Sequence, residues 1–235
     1  MAAPTLVASY FLQSTTSSSD SSTLVTSSFT PSNGEVIVVK AATWDKTVTS
    51  GTPSGGSLTY TQRAVTSSGS FACYGTIFTA VVSGSPGSMA VTLSAPSAGC
   101  YHSMTVERWS GAQLAGSPAV SSPVDYAGTA SAPSATITTT AANSIVTWVN
   151  ADDASKDPTA GHAYLSGATE DGLADGHSDG SSVHYYAYQT AASAGSQTIG
   201  MSTPLSQKWV MVGIEVQAAA SFAPARSSAF MTFFQ

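Results

Sequence analysis

Seven of the thirteen carboxylates in this 235-residue chain fall in one stretch: Asp152, Asp153, Asp157, Glu170, Asp171, Asp175 and Asp179. Inside it, DGHSDG sets Asp175, His177 and Asp179 at alternate positions ahead of Gly180. That spacing begins like an oxygen-rich calcium loop, but such a loop needs a bidentate Glu at its twelfth position, where this chain has Tyr186. Asp175 and Asp179 therefore stand as candidate Ca²⁺ ligands beside the plainer reading, a solvated Gly- and Asp-rich loop on a rim. No other cofactor is expected.

Glu107 and Glu215 form the other pair of carboxylates that could do chemistry, as the acid and base of a glycosidase. They occupy matching places in two similar stretches of chain, and matching places need not be neighbours, so both are expected on solvated surface. The histidines are His102, His162, His177 and His184. No G-x-S-x-G, H-E-x-x-H or C-x-x-C accompanies them, so neither a serine hydrolase nor a zinc site is indicated. The expectation is a protein that is not an enzyme. Cys73 and Cys100 could close a disulfide or remain free thiols.

Aromatic residues suggest binding instead. Tyr185, Tyr186 and Tyr188 share one predicted strand, with His162 and Tyr164 just before it. Alternation puts Tyr186 and Tyr188 on one face and Tyr185 on the other. With Tyr164, an exposed pair would make a platform for sugar rings; otherwise the row is core. The last residues, 218–235, follow the final predicted strand and carry Phe222, Phe230, Met231, Phe233 and Phe234. A free segment this apolar would expose surface that soluble monomers avoid, so it is expected to dock, most simply on another subunit.

The elements that must position these groups are strands. Only 9% of residues are charged, and Ser and Thr make up roughly 30%, a composition that suits extended strands better than helices. No 3.6-residue apolar period is sustained, and 20 Gly with 11 Pro interrupt the chain every few residues. The spacing predicts a strand over 5–11 and others over 23–29, 35–44, 58–65, 71–82, 88–94 and 101–109. Further strands are predicted at 135–140, 145–149, 183–189, 197–201 and 209–216. The fold class is all-β, an antiparallel β-sandwich. A net charge of −6 with seven Lys and Arg gives no basic surface for nucleic acid. No apolar run reaches the roughly 20 residues that span a bilayer. The N-terminus lacks the basic start of a secretory signal, which leads us to expect synthesis in the cytosol without general secretion.

The chain also repeats itself. TLVTSSFTPSNGEVIVVKAA (23–42) has the layout of ATITTTAANSIVTWVNAD (135–152), with Gly34 on Asn143 and Val36 on Ile145. MTVERW (104–109) then matches VGIEVQ (212–217), Glu107 falling on Glu215. Two echoes in one order predict an internal duplication. The halves would run about 22–109 and 135–217, joined by a linker over 110–134 and preceded by a strand and Ser-rich connector over 1–21. In the last strand Val210, Val212, Ile214 and Val216 should face the core and Glu215 solvent; by the match, Met104 and Val106 face in and Glu107 out.

NGEVIVV (33–39), TAVVSGSPGSMAVTLS (79–94), ERWSG (107–111), SPVD (122–125) and WVMVGIEVQ (209–217) together resemble the jelly-roll-like β-sandwich modules of tail-associated and other virion proteins of double-stranded DNA phages. The likeness spans roughly residues 22–217 and departs from the family's pattern after Asp152. It implies a structural protein of the virion, a head decoration or fibre-like part or a minor tail component. Such a protein is assembled in the host cytoplasm and bound to other virion proteins and to copies of itself. The likeness transfers no active-site residues. A carbohydrate-binding adhesin for host-surface glycans is the alternative.

Overall fold

The structure is a computed structural model that describes residues 2–14, 22–44, 51–67, 73–94, 100–114, 118–124, 132–153, 161–165, 167–175, 182–205 and 208–220. Among these residues the chain forms strands and no helix. In order they are β1 (Thr5–Gln13), β2 (Leu24–Val25), β3 (Val36–Trp44), β4 (Thr61–Ser67), β5 (Cys73–Val81), β6 (Thr92–Leu93), β7 (Tyr101–Ser110) and β8 (Ala112–Gln113). The second half supplies β9 (Ala119–Val124), β10 (Ser134–Thr139), β11 (Ser144–Asp152), β12 (Ala163–Tyr164), β13 (Ala168–Asp175), β14 (Val183–Ala191), β15 (Gly195–Thr203) and β16 (Trp209–Ala218). All pairings are antiparallel.

One large sheet runs β1-β7-β3-β5-β4 and a second runs β13-β14-β11-β16, with β9 and β8 completing the far side of β16. They stack face to face, and Val36, Val38, Ile77, Val149, Val212 and Ile214 fill the space between them. Each large sheet is covered on its other face as well. The β2-β6 ribbon closes a core of Ile37, Val39, Phe78, Met104 and Val106. The β10-β15-β12 sheet closes one of Val146, Trp148, Tyr185, Ile199 and Met211. The result is a β-sandwich of four layers with three cores.

Four layers explain why the expected surface positions of Glu107 and Glu215 were wrong. With both faces of β7 and β16 covered, alternation separates one core from another instead of core from water. Val210, Val212, Ile214 and Val216 do face the central core, and Met104 and Val106 face the outer core of the first half. Both glutamates, however, are fully buried. The match between them is also one residue out. Val36 lies opposite Trp109, and Ile145 lies opposite Val216. Setting Val36 on Ile145 therefore sets Trp109 on Val216 and Glu107 on Ile214, and a one-residue slip turns a side chain to the other face.

The region expected as a linker instead contains β8 and β9, and β9 pairs along β16 with Pro123 opposite Val210. Pro-bearing AVSSPV reads as loop, yet an edge strand tolerates the missing N–H. β1 likewise pairs along β7 as an edge strand. The two large sheets then share one order, β1-β7-β3-β5-β4 and β9-β16-β11-β14-β13. The turns entering β3 and β11 match too: Gly34 (φ 82°) and Asn143 (φ 56°) both take the left-handed conformation open to Gly and Asn. The body's two ends meet, since Thr5 pairs with Ser110 and the Ala219 N–H donates to the Gly111 carbonyl.

Candidate functional site

The ionisable groups converge on the seam between the two large sheets. Lys40 is the one charged residue of VIVVKAATW, and β3 turns it into the central core with no exposure. Its Nζ lies 2.7 Å from Glu107 Oε1 on β7 and 2.8 and 3.0 Å from the two oxygens of Asp171 on β13, and it also donates to the Ala187 carbonyl at 3.3 Å. Glu107 is held from both sides: Thr147 Oγ1 donates to Oε1 at 2.7 Å and Trp109 Nε1 to Oε2 at 2.8 Å. Ser9 Oγ donates to Asp171 Oδ2 at 3.3 Å. The Tyr186 ring lies 5.8 Å from the Lys40 nitrogen.

Asp171 reaches this place through a β-bulge. Glu170 pairs with Ala187 and Gly172 with Tyr186, so Asp171 is the extra residue between them. Gly172 lets the strand come close: a Cβ there would sit 2.6 Å from Phe11 Cδ2 and 2.8 Å from Thr105 Oγ1. Burial pushes the Asp171 carboxyl up to about 7; the Lys40 charge works against that rise and the Glu107 charge adds to it. For Lys40, burial favours the neutral amine, but Asp171 and then Glu107 outweigh it and its pKa is raised. The cluster thus sets two carboxyl groups around one amine, with Lys40 and Glu107 fully buried and the Asp171 side chain nearly so.

A second group lies in the same seam. Ser103 Oγ is 2.7 Å from His184 Nδ1 and 2.7 Å from the Tyr186 hydroxyl. A nucleophile would need a carboxylate on the far ring nitrogen; His184 Nε2 instead faces Ser182 Oγ at 3.5 Å. Burial, and then the charge of His102, pushes His184 down to about 3, so it stays neutral. Burial also raises the Tyr186 phenol, with the Ser103 hydrogen bond acting the other way.

Glu215 faces the opposite side of its sheet. Its oxygens accept from the Thr140 and Ala141 N–H groups at 3.1–3.2 Å and from Thr140 Oγ1 at 3.0 Å. Burial works to raise its pKa, but these donors overturn that and hold it below the usual carboxylate range. Arg108 makes a bidentate pair with Glu35 at 2.9 and 3.0 Å over the Phe29 ring. Each of these pairings ties a strand to a neighbouring turn.

The residues singled out from the sequence are placed differently from one another. Tyr186 is fully buried in the seam, and Tyr188 packs edge-on against Trp109, so the two present no exposed platform for a sugar. Tyr164 is half-buried on the other face of the second sheet, 5.5 Å from the Trp148 ring, with His162 beside it. On that face the Trp148 and Trp209 indole N–H groups and both polar atoms of Asn150 are buried without a hydrogen-bond partner. Asp175 ends β13 opposite Val183, and Asp179 lies outside the described residues. Among the described residues no three His, Cys, Asp or Glu are grouped as metal ligands. Phe222, Phe230, Met231, Phe233 and Phe234 also lie outside the described residues. Cys73 and Cys100 are buried and not joined in a disulfide, and burial, with the charges of Asp153 and Asp152, raises the Cys73 thiol.

Lys40 and Asp171 were not foreseen. Lys40 had a signal in the sequence, since a lone charge in an unbroken apolar strand must be matched by a partner. Asp171 had none, because a bulge leaves no periodic trace. An open groove of about 420 Å³ beside β4 is lined in part by Leu58, Arg63, Val81 and Leu114. Comparison of the chain with protein-family models, with curated proteins and with solved structures finds no match to any of them.

Proposed function

We propose that this chain is a non-enzymatic structural protein of a double-stranded DNA phage virion, a head decoration, fibre-like part or minor tail component. The observation that carries the reading is the use made of the reactive side chains. Lys40, Glu107, Ser103 and His184 are buried inside the body and the Asp171 side chain is nearly so, and there they tie one half to the other. A body held together this way suits a part that must keep its shape. The phage assignment itself rests on the resemblance of the sequence pattern. The shared strand order of the two large sheets supports an origin by duplication.

Attachment falls to the Phe-rich segment after residue 220; β16, the last described strand, closes at the end where β1 begins. Particle partners, copies of the chain and a virion location follow from this reading. The test is a protein inventory of phage particles purified from the host that carries the gene, paired with a chain truncated after Ala220. The expected result is the full chain in the particles at fixed stoichiometry, and a folded truncated chain that no longer co-sediments with them. A full chain found only in the soluble fraction contradicts the proposal.

Glycan binding is the second reading. What favours it is Tyr164, half-buried, with its ring 5.5 Å from the Trp148 ring and His162 beside it. Binding on a glycan array that Tyr164→Ala abolishes would support it, and an array without signal counts against it.

A further inference from the structure

We infer that Lys40 and Asp171 become covalently joined by an intramolecular amide (isopeptide) bond, formed within the folded chain with Glu107 as the catalytic acid and base. The inference is independent of the particle assignment.

Position is the first argument. Lys40 Nζ is nearly equidistant from the two Asp171 oxygens, at 2.8 and 3.0 Å, which puts it beside the carboxyl carbon it would attack. The two residues lie 131 positions apart on different sheets. Folding alone brings them together, and fixed reactants of this kind reach effective molarities of about 10⁵–10⁸ M. Glu107 touches the reacting nitrogen at 2.7 Å and is oriented by Thr147 and Trp109. The groups facing Asp171 are Lys40 from β3, Glu107 from β7, Ser9 from β1 and, farther off, the phenols of Tyr186 and Tyr164.

Proton count is the second argument. Two carboxylates and one ammonium leave a net negative charge in a sealed space, and one bound proton removes it. Burial, which pushes the Asp171 carboxyl up to about 7, favours that proton on Asp171. The reactive form needs one further proton moved from Lys40 Nζ to Glu107 Oε1, 2.7 Å away; this leaves an amine and two carboxylic acids with no charge on any of them, a change that burial of the amine favours and the two carboxylates oppose. The amine lone pair is then free.

The bookkeeping of the reaction closes without a co-reactant. The Lys40 nitrogen attacks Asp171 Cγ while the Glu107 carboxyl protonates the carbonyl oxygen. Glu107, now a carboxylate, removes a proton from the nitrogen. It passes that proton to one hydroxyl of the tetrahedral carbon, which leaves as water while the carbonyl re-forms. The last hydroxyl proton returns to Glu107. One N–C bond has formed, one C–O bond has broken, and Glu107 ends as it began. Exclusion of water from the seam protects the product from hydrolysis.

The test is the intact mass of the denatured full-length protein, followed by fragmentation of its proteolytic peptides. The expected mass is lower than the sequence mass by one water, with a cross-linked peptide pair joining Lys40 to Asp171. Lys40→Arg and Glu107→Gln should both restore the full mass. Asp171 precedes Gly172, and an Asp-Gly succinimide would lose the same water. Such a succinimide survives both substitutions, opens with mild alkali and links no peptides. A wild-type chain at full sequence mass, or one whose missing water maps to a succinimide, overturns the inference and leaves a buried ion cluster. That wild-type measurement decides the matter even where a variant fails to fold.

Discussion

At the scale of single residues, the protein places its ionisable side chains where they are most expensive to leave unmatched, and then matches them. His184 shows the consequence most simply. Its ring is neutral in the folded protein because burial pushes it to about 3, whereas the unfolded chain titrates near 6.5. The folded state therefore binds fewer protons than the unfolded state between those values, and stability falls as pH drops from about 6.5 towards 3. The expected slope from this one group is up to about tenfold in the unfolding constant per pH unit. Urea titrations of the wild type and His184→Gln across that window check it: the variant should have a slope shallower by about one proton. Glu215 adds to the acid sensitivity lower down, because its depressed pKa contributes stability above the ordinary carboxylate value that is lost as pH falls through the folded one. Glu215→Gln should cost about 1–3 kcal/mol at neutral pH by weakening the acceptor for the Thr140 and Ala141 N–H groups.

At the scale of elements, the strands and turns were legible and their second faces were not. Alternation in VMVGIEV located the row that enters the central core, and the Asn-containing turns into β3 and β11 marked two comparable hairpins. Yet VIVV (36–39) and IVTWV (145–149) are nearly continuous apolar runs, the mark of a strand covered on both sides, and that signal was outweighed by Ser- and Thr-rich neighbours. β13 was hidden because EDGLADG reads as an acidic loop. Its bulge at Asp171 and the close approach at Gly172 depend on tertiary packing alone. The approach can be tested directly. Gly172→Ala places a methyl against Phe11 and Thr105 and should cost about 1–3 kcal/mol. Gly213→Ala, which would meet Ile199 Cδ1 at 2.7 Å, should cost a similar amount in the outer core. Shifts in urea midpoint at an unchanged slope are the measure; an alanine at Gly172 without effect would mean that β13 does not lie against β1.

At the scale of the whole molecule, each half has its own outer core and shares the central one, so neither buries its inner sheet face alone. Val36, Val38 and Ile77 from one half meet Val149, Val212 and Ile214 from the other, with Lys40 and Asp171 joined across the boundary. The central claim is that this seam makes one body out of two halves whose large sheets share a strand order. Scanning calorimetry of the chain truncated after Ala220 tests it most directly. The account predicts a single transition whose calorimetric and van't Hoff enthalpies agree, as an all-or-none unit requires. Two resolved transitions, or a calorimetric enthalpy about twice the van't Hoff value, would contradict it.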